Sequence, residues 1–160
     1  MGVGKTTIGR KLAKHLKMDF VDSDREIEER TGVSVSVIFD IEGEEGFRKR
    51  ETAILQELSK GQNLILATGG GAILSETNRK NLRKNGTVIY LHASVDTQFA
   101  RIRNKKTRPL LDTDDPYKTL QSLTKIREPL YRQEADFVID ANGRTPTVLV
   151  REILGLLQKE

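Results

Sequence analysis

Four short apolar runs, each ending in polar residues or glycine, constrain this chain more than anything else in it. Phe20-Val21 leads into Asp22-Ser23-Asp24, and Leu64-Ile65-Leu66-Ala67 leads into Thr68 and three glycines. Val88-Ile89-Tyr90-Leu91 meets His92, and Phe137-Val138-Ile139 meets Asp140. Runs so short and so continuously apolar suit strands covered on both faces, the environment of a parallel sheet. Between them the pattern is helical. Ile8, Leu12 and Leu16 recur every four residues with basic side chains between, one apolar stripe of a helix. Ser75 can cap a helix closed by Gly86, and Thr145 with Pro146 opens a last helix carrying Leu149, Ile153 and Leu157. This alternation predicts an α/β fold, a parallel sheet flanked by helices with functional loops at the strand ends.

Composition narrows the chemistry. With 160 residues, 36% hydrophobic and 31% charged, the chain reads as one globular domain over 1–160. No apolar run approaches the roughly 18 residues that cross a bilayer, and no signal-peptide layout opens the chain, so a cytoplasmic protein without a membrane partner is expected. Zero cysteines and two histidines exclude disulfides and thiolate zinc sites, leaving a hard cation held by oxygen as the metal to expect. The net charge of +4 is dispersed among acids and aromatics are only 5%, so small anionic substrates explain it without nucleic acid.

The first seven residues, MGVGKTT, carry the end of a G-x-x-x-x-G-K-[ST] signature. In such a loop, backbone N–H groups freed by glycine cradle phosphates, the lysine reaches the outer phosphates and the hydroxyl binds magnesium. Gly2, Gly4, Lys5 and Thr6 can do most of this, though the same letters also suit a plain helix start. Asp22 and Asp24 stand two apart at a strand end. If strand geometry persists they point the same way, one serving a metal and one a substrate; alternatively Asp22 caps a helix beginning at Arg25. Arg48 and Arg127 are suited to gripping a carboxylate, because paired guanidinium donors match its oxygens, while a lone arginine on a charged helix is usually a solvated face. Glu51 can brace Arg48 from one turn away. Gly69-Gly70-Gly71 marks either a close backbone approach or a flexible turn. Asn104 to Asp115, dense in charge and bounded by Pro116, is the candidate mobile loop.

In order and spacing, GVGKTTIGRKLAKHL, DSDREIEERTG, IEGEEGFRKRE, ATGGGA, RPLL and REPLY resemble the shikimate kinases, a branch of the nucleoside-monophosphate-kinase-like P-loop enzymes. The resemblance covers essentially the whole chain. It implies transfer of the ATP γ-phosphoryl group to the 3-hydroxyl of shikimate, by a monomeric cytoplasmic enzyme with ATP and shikimate as partners and Mg²⁺ as cofactor. It further implies that Lys5, Asp24 and Arg108 are catalytic, with Arg108 carried on a lid over about 104–115. Thr6 and Asp22 would hold Mg²⁺. Asp24, Arg48, Gly69, Gly70, Gly71 and Arg127 would bind shikimate, within a substrate subregion over about 23–60. ATP would meet residues 2–7, Arg108, and Arg101 with Pro146 about the adenine, near a loop over about 139–146.

The family's sheet has the order 2-3-1-4-5, and its first strand with the opening glycine is expected ahead of Met1. Losing about five buried apolar residues at roughly 1.5 to 3 kcal/mol each would cost on the order of 8 to 15 kcal/mol, comparable to a whole domain's stability of roughly 5 to 15 kcal/mol. Residues 1–160 alone are therefore expected to fold marginally and bind ATP poorly. The competing readings are a gluconate or nucleotide kinase of the same fold, or a non-catalytic nucleotide-binding protein.

Overall fold

The computed structural model describes residues 2–103 and 109–158. Helix α1 (Lys5–Leu16) begins at Gly4, a left-handed N-cap with φ 94°, and buries Ile8, Leu12 and Ala13. Strand β1 (Asp19–Asp22) runs directly into α2 (Ser23–Thr31), capped by Asp22 and ended by left-handed Gly32. Helix α3 (Val35–Leu58) is kinked at Gly43, whose φ of 70° is non-helical. Then follow β2 (Leu64–Ala67), a 3₁₀ turn over Ala72–Leu74, and α4 (Glu76–Asn85) between Ser75 and Gly86. The second half comprises β3 (Ile89–His92), α5 (Val95–Ile102), α6 (Pro116–Glu134), β4 (Phe137–Asp140) and α7 (Pro146–Leu157). Ser75 and Thr145 cap the helices the sequence assigns to them, each accepting an N–H three residues on.

All the described strands pair in parallel, as two pairs. Strand β1 lies beside β2 with Asp22 level with Ala67, and β3 beside β4 with His92 level with Asp140. Strands β2 and β3 are not bonded to each other. Between them lies a cavity of about 260 Å³ bordered by Leu64, Leu66, Ile89, Leu91, Ile8 and Ile153.

Two apolar clusters hold the frame. One joins Ile8 and Leu12 of α1 to Ile139 of β4 and Leu149, Val150 and Ile153 of α7. The other, Ile27, Ile38, Phe47 and Ile54, is internal to α2 and α3. That second cluster gives 23–60 a core of its own, which lets it present side chains to the end of β2.

Candidate functional site

The glycine loop comes first in the chain and depends mostly on backbone. Gly2 and Gly4 have φ of 70° and 94°, values natural to glycine and strained for other residues. This turns the loop so that the first N–H groups of α1, which have no partner within the helix, lie at its open end. No acidic residue occupies that first turn, so its positive dipole end is left for an anion. Val3 is buried, Thr7 is exposed, and Lys5 lines an inner cavity. From α5, Arg101 donates to the carbonyls of Gly2 (3.3 Å) and Val3 (3.5 Å).

Thr6 and Asp22 meet as the sequence suggests: the Thr6 hydroxyl donates to Asp22 Oδ2 at 2.8 Å. A hydroxyl and a carboxylate side by side are the oxygen donors a hard cation such as Mg²⁺ takes, with phosphate and water completing the shell. Asp22 also caps α2, its Oδ1 accepting the Asp24 N–H at 3.2 Å. Two expectations are corrected here. The helix begins at Ser23 rather than Arg25, and the strand does not continue past Asp22, so Asp22 and Asp24 are not on one strand face. Asp24 instead projects from the first turn of α2.

Its surroundings are set by the glycine turn after β2. Gly69 donates its N–H to the fully buried Ser23 hydroxyl at 3.1 Å. A Cβ on Gly69 would stand 2.6 Å from Glu51 Oε1 and 2.7 Å from Asp24 Oδ1, and a Cβ on Gly71 would overlap the Arg48 guanidinium. The glycines are there because side chains from α2 and α3 press against the backbone, so the close-approach reading holds over the flexible turn.

The two singled-out arginines separate from their neighbours by burial. Arg127 is only 4% exposed, whereas the side chains of Lys49 and Arg132 are 77% and 50% exposed. Arg48 is held by Glu51 (2.7 Å) and Glu44 (3.1 Å). Burial works against its charge, but those carboxylates outweigh it and leave its pKa above the ordinary value. For Arg127, burial dominates and lowers the pKa, with the positive charge of Arg48 adding to the fall. Among the described residues its Nε has no hydrogen-bond partner. Two part-desolvated guanidiniums that repel each other are a receptor for an anion, which would relieve both. Burial likewise pushes the Glu51 carboxyl up; Arg48 pulls it back and Asp24 adds to the rise.

A cavity of about 110 Å³ is lined by Lys5, Gly69, Gly70, Arg127 and Tyr131, so the lysine of the glycine loop and the buried arginine face one space. Tyr131 is a residue that reading the sequence passed over. Its hydroxyl donates to the Gly70 carbonyl and its ring stacks on Tyr90. The available signal was its place four residues after Arg127 in REPLY. Pro146 opens the first turn of α7, on a different element from Arg101. Arg108 lies outside the described residues; past it, Pro109–Leu111 form a 3₁₀ turn and Asp115 caps α6.

A parallel α/β chain that opens its first helix on a glycine loop, whose lysine shares a cavity with a buried arginine, has the layout of a P-loop kinase of small molecules. The family model for shikimate kinase matches residues 1–158. A shikimate kinase from Nitrosospira multiformis is 55% identical over 153 residues, covering 96% of this chain and 78% of that protein. Among solved structures, a shikimate kinase from Acinetobacter baumannii in complex with shikimate superposes with a TM-score of 0.97 at 47% identity, over 99% of this chain and 89% of that one. A gluconokinase from Sinorhizobium meliloti reaches 0.61 at 17% identity, over 99% of this chain and 87% of that one, which shows a shared fold alone. The chain belongs to the shikimate kinase family, whose members are ATP-dependent phosphotransferases acting on an alcohol.

Proposed function

We propose that this chain transfers the γ-phosphoryl group of ATP to the 3-hydroxyl of shikimate, in aromatic amino-acid biosynthesis, using the residues gathered around Gly69–Gly71. The observation that carries this reading is the convergence of Asp24, Arg48 and Arg127 on that turn, with Arg127 and Lys5 on one cavity. Arg48 and Arg127 take the acceptor's carboxylate as paired donors. Asp24 orients the attacking hydroxyl and receives its proton as the oxygen bonds to the γ-phosphorus and the bond to the β-phosphate oxygen breaks, releasing ADP. The amides of residues 2–7 and Lys5 hold the phosphates, and Arg101 with Pro146 faces the adenine side near 139–146.

Thr6 and Asp22 would hold Mg²⁺, which supplies charge neutralisation on the phosphates when bound. A lid over 104–115 would bring Arg108 to the transferring group on closure, where a cation favours the transition state over bound substrate. The enzyme is proposed to be a cytoplasmic monomer; no described helix is long and apolar enough to cross a membrane. An ADP-release assay with shikimate, gluconate and AMP as separate acceptors tests the reading. Turnover with shikimate alone is expected; comparable rates with either other acceptor would overturn it, and shikimate binding without turnover would favour the non-catalytic alternative.

A further inference from the structure

We propose that Tyr131 is a positioning residue for the acceptor: it fixes the Gly70–Gly71 peptide and thereby the spacing between Arg48 and Arg127. The inference rests on reading those two arginines as partners of the acceptor's carboxylate. Three successive carbonyls make up the turn. Gly69 O accepts from Ala72 N–H at 3.2 Å and Gly71 O from Leu74 N–H at 3.0 Å, bonds internal to the turn. The middle one, Gly70 O, accepts from the Tyr131 hydroxyl instead. Because a trans peptide is planar, holding that carbonyl on one side aims the Gly71 N–H to the opposite side. Arg48 lies against the Gly71 Cα, so the peptide that Tyr131 tethers is also the surface on which one guanidinium rests.

The other guanidinium shares a helix with the tether. Arg127 and Tyr131 are four apart on α6 and so lie on one face of it. One helix therefore supplies one arginine directly and sets the seat of the second through a single hydrogen bond. The ring cannot swing freely, since it stacks on Tyr90 with centroids 4.8 Å apart and planes 21° apart. Burial raises the pKa of Tyr131, and pushes that of Tyr90 up to about 12, so the hydroxyl stays a neutral donor rather than a proton carrier.

Tyr131→Phe keeps the stack and removes the donor. Calorimetric titration of shikimate and, separately, of ATP into the unaltered chain, Tyr131→Phe and Arg127→Ala tests the proposal, with a thermal melt of each. The expected result is about tenfold weaker shikimate binding by Tyr131→Phe, unchanged ATP binding and a melting temperature within a few degrees of the unaltered chain. Unchanged shikimate affinity, or equal weakening toward both ligands, overturns the role of Tyr131. Shikimate affinity undiminished in Arg127→Ala would instead overturn the carboxylate reading on which it rests.

Discussion

The two halves of the site are built from different materials. On the proposed nucleotide half the cradle is largely main-chain, with glycines at φ of 70° and 94° and the first amides of α1, to which Lys5 adds a side chain and whose loop carbonyls Arg101 holds. On the acceptor half the working groups are side chains held by other side chains, with Glu51 fully buried under Arg48, and Arg127 among aromatic and apolar neighbours. A phosphate chain is recognised by charge and repeats along its length, so a row of amides at a helix end suffices. A small acid with several hydroxyls must be placed in one orientation, which takes directional groups in a desolvated, braced pocket.

The sharpest way to separate the halves is Lys5→Met. It should lower kcat about 10³-fold while calorimetry shows shikimate affinity unchanged; a matching loss of shikimate binding would mean the halves are not separable. Next in size, Gly69→Ala places a methyl between Asp24 and Glu51. Steady-state kinetics should show kcat/KM for shikimate about 100-fold lower with KM for ATP unmoved, and the overpacked turn should cost about 1–3 kcal/mol in a denaturant melt. Arg101→Ala tests the other half. Its side chain is exposed, so KM for ATP should rise only about threefold to tenfold, and a shift in KM for shikimate would blur the division.

The smallest effect concerns pH. Burial raises the folded pKa of Glu51 above its ordinary 4.5, so the folded chain binds this proton more tightly than the unfolded one. The resulting stabilisation is fully present below pH 4.5 and is lost as pH rises through the folded value. Glu51→Gln removes the titration. Melting temperatures from pH 4.5 to 7 should therefore fall for the unaltered chain relative to Glu51→Gln, and parallel curves would show that the acceptor half holds Glu51 as an ordinary carboxylate.

Much of this could be read from the letters. Each strand was announced by an apolar run, and Ser75, Gly86, Thr145 and Pro146 marked helix ends because capping chemistry is local. Arg48 and Arg127 stood out only through their motifs, since burial, the property separating them from Lys49 and Arg132, depends on segments remote in sequence. The reading of Asp22 and Asp24 as a strand pair failed because Asp22 stops the strand by accepting the Asp24 N–H, a local bond that competes with extended backbone. Tyr131 was hidden for another reason: its partner Gly70 lies 61 residues away.

By itself, the order of residues determined the α/β alternation, the helix ends, the glycine loop at the start of α1 and the types of side chain available for binding anions. Tertiary structure alone decided which arginines are desolvated, which carboxylate lies beneath Arg48, and which hydroxyl holds the Gly70 carbonyl. Periodicity and capping are properties of neighbours along the chain, whereas burial and cross-chain hydrogen bonds exist only once distant segments have packed.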